Sequence, residues 1–271
     1  MLTHRVEGPA SGADVLLLNG GMMSISAWDD VAATLSHRHR VVRCDFRGQL
    51  LTPELPPADL AAHVDDVVAL LDRVGLDRTH VVGTSFGGEV GLLLAARHPA
   101  RVRSLVAAAV VDFPPPSMRA TGDRLVALCE RAIATGDGRP FFAAMTELVY
   151  SPEFRSRLAA ELTARYESLA TLPPTWFAGG ARLLEAIDRM NLTADLEGIA
   201  CPTLVLAAEL DELMPMERTV AVARAITGAE LTVFAGSGHA LVVEQKDHFL
   251  ELLTRFLSRT EASAGSVLRS P

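Results

Sequence analysis

Short apolar segments alternate with longer amphipathic stretches in the first part of the chain. Apolar runs at residues 15–18, 40–44, 79–83 and 105–111 have the length of buried strands. From Leu60 to Val74, apolar residues recur at spacings of three and four, which predicts a helix with one face against a sheet. Strands that alternate with helices are typical of βαβ units and a parallel sheet.

The pattern changes after Asp112, where Phe-Pro-Pro-Pro interrupts the chain. Up to about residue 198 only helical periodicities and loops follow, and then strands return at 203–207 and 231–234. We therefore predict an α/β fold with a mostly parallel central sheet flanked by helices. Residues 1–112 and 199–271 would form its core, and residues 113–198, here called the helical insertion, would form a helical cap (lid) over it.

The composition and net charge of the chain indicate which classes of binding partner are expected. The 271 residues are 49% hydrophobic and 21% charged, which indicates a folded globular protein. The net charge is −8 and Lys246 is the single lysine, so neither nucleic acid nor an anionic membrane surface is an expected partner. The expected partner is a small molecule, and the oligomeric state is left open, with a homodimer as one option.

The cysteines and the first residues bear on the compartment. Cys44, Cys129 and Cys201 are far apart and form no CxxC pair, which argues against a disulfide framework or a structural zinc site. No apolar run approaches the roughly 20 residues of a membrane span, and the first run is shorter than the core of a signal peptide. We expect a cytoplasmic protein.

One motif carries a nucleophile. Residues 83–87 match G-x-S-x-G, with a predicted strand before Ser85 and a predicted helix after it. In this setting the serine occupies a strained turn that exposes its hydroxyl, while the flanking glycines let strand and helix approach closely. The alternative is a turn of small residues that only begins a helix.

A serine hydroxyl needs a base, normally a histidine oriented by a carboxylate. Of the eight histidines, His239 alone follows a late strand within a loop of small residues, 236–239. Its position after Ser85 and after a strand-end carboxylate fits the chain order Ser, Asp, His. His239 is therefore the candidate base.

The candidate acid lies in the loop after the strand at 203–207. Glu209, Asp211 and Glu212 are all present there, and Asp211 is our choice, with structural roles expected for the two glutamates. Asp112, at the end of an earlier strand, is an alternative acid.

Attack on a carbonyl also requires two N–H donors for the oxyanion. The backbone of Phe86 would be one donor, and Gly21, in the glycine turn after the first strand, would be the other. The alternative for that turn is simple chain reversal.

Together these motifs resemble the α/β-hydrolase superfamily, in its lid-bearing branch of bacterial serine esterases and lactonases. The resemblance rests on residues 18–21, 45–48, 83–88, 202–215 and 236–240. It implies that Ser85, Asp211 and His239 are nucleophile, acid and base, that Gly21 and Phe86 form the oxyanion hole, and that no metal or organic cofactor is needed. Departures from the family pattern occur at Asn19, Leu50 and Ala208, which affects the pocket wall more than the reaction.

The helical insertion holds much of the aromatic content of the chain, and part of it should line the substrate pocket. Trp176 and Phe177 are the candidates, because prolines and glycines flank them, and Met22 could add adaptable apolar surface next to the oxyanion turn.

The expected function is hydrolysis of carboxylic esters with short to medium, apolar acyl or alcohol groups, through an acyl-enzyme. A lactone is the nearest alternative, because ring opening uses the same groups. Carbon–carbon bond hydrolysis is a further alternative, although Ala240 follows His239 where such relatives usually carry tryptophan. A ligand-binding relative without turnover is the alternative from another class of protein.

Overall fold

A seven-stranded sheet forms the centre of the molecule, in the order β1-β3-β2-β4-β5-β6-β7. The computed structural model describes residues 1–267, and the side chains at 165, 166 and 264–267 are not described. β1 pairs with β3 antiparallel, and the other neighbours are parallel. The strands are β1 His4–Glu7, β2 Ala13–Leu18, β3 His39–Cys44, β4 Thr79–Thr84, β5 Val102–Ala108, β6 Thr203–Ala208 and β7 Glu230–Phe234.

Helices cover both faces of this sheet. All residues of the central strands β4 and β6 are buried, as expected of parallel strands covered on both faces. The covering helices are α1 Asp29–Leu35, α2 Leu60–Val74, α3 Phe86–Arg97, α9 Met216–Ala225, α10 Leu241–Glu244 and α11 Lys246–Val267. The carboxyl ends of the parallel strands therefore meet at one edge, where sheets of this kind bind ligands.

Five α-helices occupy the stretch between β5 and β6, where the sequence predicts the helical insertion. They are α4 Pro116–Thr135, α5 Arg139–Val149, α6 Pro152–Arg157, α7 Ala159–Leu169 and α8 Pro174–Arg189. A cluster of aromatic rings packs between α5 and α8, with Phe141 5.9 Å from both Trp176 and Phe177 between ring centroids. The helical insertion thus has an apolar core of its own.

Contacts near residues 112 and 179 are among those that join the helical insertion to the sheet domain. Asp112, the last core residue before the insertion, accepts a hydrogen bond of 2.7 Å at its carbonyl from the Leu192 N–H, and its carboxylate forms an ion pair with Arg218 of α9. In α8, the backbone of Gly179 lies against that of Gly48, so closely that a Cβ on Gly179 would lie 2.1 Å from the Gly48 carbonyl oxygen. Only glycine permits this approach.

The predicted fold class is confirmed, with two differences in detail. The first is β1, a four-residue edge strand that is not predicted from the sequence, because its two central residues are exposed and it shows no apolar run. The second is the strand predicted at residues 105–111, which begins and ends three residues earlier, as β5 Val102–Ala108.

No helix in the described part of the chain is long and apolar enough to cross a membrane. The cytoplasmic location stays a prediction.

We expect Gly179→Ala to lower the free energy of unfolding by about 1–3 kcal/mol, because the added methyl group collides with backbone. Gly122→Ala is the matched control. Gly122 also lies inside a helix, α4, but a Cβ there meets nothing within 4 Å, so the variant should gain up to about 1 kcal/mol from helix propensity. Urea denaturation measures both values. Equal stabilities of the two variants would contradict the close approach of α8 to the loop at residue 48.

Candidate active site

Ser85 lies in a tight turn between β4 and α3. Its backbone has φ 53° and ψ −129°, an unfavourable region for a residue with a side chain. The flanking glycines make the turn possible: a Cβ on Gly83 would lie 2.3 Å from the Gly87 carbonyl oxygen, and one on Gly87 would lie 2.4 Å from that of Leu18. Steric necessity thus explains both glycines of the motif.

His239 and Asp211 are in direct contact. The Nδ1 atom of His239 lies 2.8 Å from Oδ2 of Asp211, and both side chains are almost fully buried. The other carboxylate oxygen of Asp211 accepts from the N–H groups of Leu213 at 3.0 Å and Met214 at 2.7 Å. The carboxylate is therefore fixed, and it holds the imidazole so that Nε2 can serve as a proton acceptor.

The other carboxylates considered for the acid lie elsewhere. Asp112 pairs with Arg218 and accepts a hydrogen bond of 3.3 Å from Thr193 Oγ1. Glu209 is exposed and accepts from the N–H of Gly236 at 2.8 Å, at the start of the histidine loop. Contact with His239 thus distinguishes Asp211 from Asp112.

The turn after β2 packs against the nucleophile turn. A Cβ on Gly20 would lie 3.6 Å from Ser85 Cβ, and one on Gly21 would lie 3.8 Å from Phe86 Cβ. Phe86 is the first residue of α3, and the first N–H groups of a helix have no acceptor within it. The structure therefore brings the backbone of Gly21 and of Phe86 together beside Ser85.

A network of hydrogen bonds between buried side chains holds this turn in place. Nδ2 of Asn19 donates to Asp45 Oδ1 and to Gln49 Oε1, both at 3.0 Å. Gln49 Nε2 in turn donates to the carbonyl oxygens of Gly20 at 2.7 Å and Gly21 at 3.2 Å. Asn19, a departure from the family pattern, thus acts as a donor within a buried network that fixes the carbonyl groups of the turn.

A cavity of about 870 Å³ opens between these residues and the helical insertion. Ser85, His239, Met22 and Trp176 all line it. Phe177 does not line it: this side chain is buried in the aromatic cluster, where its ring lies against Gly138. The structure thus places two of the three predicted pocket residues at the cavity.

Further residues that line the cavity were not predicted from the sequence. Most are apolar, and they include Trp28, Val31, Met118, Leu125, Val126, Phe142, Met145, Val149, Leu183, Leu213 and Met214. Leu213 and Met214 follow Asp211 by two and three residues, so their proximity in sequence to a predicted catalytic residue was an available signal. For the residues on α4 and α5, periodicity cannot distinguish a cavity-facing side chain from one in the core of the helical insertion.

The cationic side chains described at the cavity are paired with carboxylates. Among the described lining residues, the cations are Arg119, Arg189 and Lys246. A guanidinium nitrogen of Arg119 lies 2.7 Å from a carboxylate oxygen of Asp188, and one of Arg189 lies 4.0 Å from a carboxylate oxygen of Glu185. The Lys246 Nζ atom lies 2.6 Å from Oδ2 of Asp30. An anionic ligand would therefore find no unpaired cation among these residues. The described residues also contain no cluster of three or more potential metal ligands.

Two buried titratable groups lie close to the nucleophile turn. The ring of His63 meets that of Phe86 edge-on at 5.0 Å between centroids, and burial lowers the pKa of His63 to about 4. Glu89 lies one helical turn after Ser85; burial raises its pKa to about 8, against a smaller opposite effect of the Val111 N–H. Both groups are therefore uncharged at neutral pH.

The comparisons with known proteins agree with this fold and arrangement. The sequence model described as the alpha/beta hydrolase fold matches residues 15–246. The chain belongs to the α/β-hydrolase fold family, and it is a hydrolase.

Relatives within the family differ in what their names say they hydrolyse. The chain is 32% identical over 265 residues to a protein from Caulobacter sp. (strain K31) named as a carbamate hydrolase, RutD, with 95% and 96% of the two chains covered. It is 28% identical to the 2-hydroxymuconate semialdehyde hydrolase of Pseudomonas sp. (strain CF600), covering 94% and 90%. The crystal structure of the enol-lactonase from Burkholderia xenovorans LB400 superposes with a TM-score of 0.82 at 25% identity, covering 95% and 96%.

We expect Glu89 to make stability depend on pH. The folded protein keeps this proton up to about pH 8, whereas the unfolded chain releases it near pH 4.5, so stability falls as pH rises between these values. The glutamine in Glu89→Gln cannot ionise. The free energy of unfolding of this variant should therefore match that of the wild type at pH 5 and exceed it by about 2–4 kcal/mol at pH 8.5. Urea denaturation across pH 5–9 measures the difference.

Glu251→Gln, on the exposed side of α11, is the control, and its free energy of unfolding should equal that of the wild type at every pH. A constant difference between Glu89→Gln and the wild type over the whole range would show that Glu89 does not titrate in this way.

Proposed function

We propose that the protein hydrolyses neutral carboxylic esters through a Ser85–His239–Asp211 triad and an acyl-enzyme. The observation that carries the proposal is the bond of 2.8 Å between His239 and Asp211 beside a cavity that Ser85 also lines. The backbone of Ser85, held at positive φ between a strand and a helix, is the second support.

In this mechanism His239 Nε2 removes the proton of the Ser85 hydroxyl as its oxygen attacks the ester carbonyl. The N–H groups of Gly21 and Phe86 stabilise the oxyanion. His239 then protonates the departing alcohol. Water, activated by the same histidine, attacks the acyl-enzyme, and the acid product leaves while Ser85 regains its proton.

The substrate is neutral and carries an apolar acyl or alcohol group of short to medium length. Apolar side chains make up most of the cavity wall, and the cations among its described residues are paired. A free carboxylate on the substrate would be desolvated there without a counter-charge. The helical insertion, residues 113–198, serves as the lid that covers the core of residues 1–112 and 199–271.

A lactone is the second candidate substrate, because the chain resembles an enol-lactonase over 95% of its length. A ring ester uses the same nucleophile, base and oxyanion donors. A carbamate would fill only a small part of a cavity of about 870 Å³, which favours larger substrates. Carbon–carbon bond hydrolysis stays an alternative, given the 28% identity to 2-hydroxymuconate semialdehyde hydrolase.

The test is the initial rate of hydrolysis of p-nitrophenyl esters from acetate to decanoate, with lactones and carbamate in the same panel. We expect ester turnover by the wild type, and losses of about 10⁴-fold or more in Ser85→Ala and about 10⁴-fold in Asp211→Asn. Glu212→Gln is the control, since Glu212 is an exposed carboxylate in the same loop as Asp211 and should keep its activity.

Labelling with a fluorophosphonate separates the remaining alternatives. Labelled Ser85 with turnover of lactone, carbamate or a coloured dienol but no ester would keep the nucleophile and reject the ester substrate. A folded protein that is neither labelled nor active would indicate a ligand-binding relative without catalysis.

The neighbours Trp176 and Phe177 allow a test of the cavity wall. We expect Trp176→Ala to raise the ratio of kcat/KM for decanoate to that for acetate by about 10-fold, because the removed ring enlarges the cavity. Phe177→Ala should instead cost about 3–5 kcal/mol of stability through a cavity in the aromatic cluster, with the ratio unchanged. A change of the ratio in Phe177→Ala alone would reverse the assignment.

A further inference from the structure

Hydrogen bonds hold the loop that carries His239 on both sides, one to the helical insertion and one to Glu244 of α10. The Ala240 N–H, directly after the histidine, donates to the carbonyl oxygen of Val149 at 2.8 Å. The Gly238 N–H, directly before it, donates to Oε1 of Glu244 at 3.1 Å. Val149 is the last residue of α5, and Glu244 ends α10, so the first of these bonds already joins the two parts of the protein.

Glu244 also binds the helical insertion directly. Its Oε1 accepts a hydrogen bond of 2.9 Å from the Ser151 N–H, and its Oε2 accepts one of 2.6 Å from the Ser151 hydroxyl. Ser151 is the N-cap of α6, and its hydroxyl oxygen accepts from the Phe154 N–H at 3.3 Å. The turn at residues 149–151 of the helical insertion, through its buried residue Ser151, therefore shares a carboxylate with the histidine loop.

The two backbones are too close for any side chain between them. A Cβ on Gly238 would lie 2.7 Å from the Ser151 nitrogen and 2.9 Å from both Glu244 Oε1 and the Tyr150 carbonyl carbon. The glycine before His239 is thus required by the contact with the helical insertion. Movement of residues 149–151 away from the core would break the Ala240–Val149 bond after the histidine, and it would also remove both bonds from Ser151 to Glu244, the carboxylate that accepts from Gly238 before the histidine.

We propose that Glu244 is a positioning residue that makes the alignment of His239 depend on the docking of residues 149–151. Glu244 has no contact with the cavity; its carboxylate acts on His239 through Gly238. The base is then held in place only when the helical insertion is seated, so the proton transfer from Ser85 is coupled to the closed arrangement. This inference rests on the proposed function of His239 as the base.

A set of three variants tests the coupling. Glu244→Ala removes both bonds to Ser151 and the bond to Gly238, and it should lower kcat on the best p-nitrophenyl ester by about 10- to 100-fold with KM nearly unchanged, since a misplaced base slows chemistry rather than binding. Glu244→Gln keeps an acceptor at Oε1 and should restore most of kcat.

Ser151→Ala is the decisive variant, because the changed residue lies in the helical insertion. It leaves the bond between Gly238 and Glu244 intact, and we expect kcat to fall about fivefold through loss of one hydrogen bond to a charged group, with KM unchanged. The double variant Ser151→Ala/Glu244→Ala should be no slower than Glu244→Ala alone, because both changes interrupt one connection.

Circular dichroism and thermal unfolding show which variants fold. If Glu244→Ala does not fold, the kcat values of Ser151→Ala and Glu244→Gln decide whether the coupling exists. A normal kcat in folded Ser151→Ala would overturn the coupling, as would a rise in KM without loss of kcat in either single variant.

The rate of Ser85 labelling by a fluorophosphonate is the parallel readout, and it should fall with kcat in the same variants. If the wild type is labelled but hydrolyses no ester, the ester substrate fails while the labelling rates still decide the role of Glu244. If the wild type is not labelled, both proposals are wrong.

Discussion

The close approach of three backbone segments around Ser85 is the constraint on which the rest of the site depends. The carboxyl end of β2, the end of β4 and the start of α3 lie so near to each other that side chains at Gly83 and Gly87 have no room. This crowding holds Ser85 at positive φ and sets the turn of Gly21 beside the start of the helix. The strain at Ser85 is sustained because the turn follows the fully buried strand β4 and because the Ser85 N–H donates to the Ala108 carbonyl oxygen at the end of β5, at 2.8 Å.

The same principle of close backbone contact recurs where the helical insertion meets the core. Gly48 faces Gly179, and Gly238 faces Ser151. Hydrogen bonds also join the two parts, from the Leu192 N–H to the Asp112 carbonyl oxygen and from Ser151 to the Glu244 carboxylate. At both pairs of facing residues the separation of helical insertion and core is therefore set by glycines rather than by adaptable side chains.

The features predicted correctly from the sequence are those that depend on residues close to each other along the chain. The alternation of strands and helices gave the fold class, and strand-end loops gave Ser85, Asp211 and His239, of which the last two lie in contact. Trp176 and Phe177 show where such signals end: they are neighbours on an amphipathic helix whose apolar positions face both a cavity and a core, and periodicity alone does not separate these two environments. Glu244 was missed because its partner Ser151 lies 93 residues away and no spacing rule connects them. The roles of these residues in catalysis stay predictions.

Because every described cation at the cavity is paired, the cavity offers no free counter-charge to the acid product of a hydrolysis, and this affects product release. Hydrolysis of a neutral ester creates a carboxylate where none existed, within apolar walls and beside four acidic lining side chains, Asp30, Asp123, Glu185 and Asp188. The newly formed anion loses hydration without gaining a counter-ion, so the cavity holds the product less tightly than the substrate. Expulsion of the acid would follow from the electrostatics of the cleft, and accumulation of product would inhibit such an enzyme only weakly.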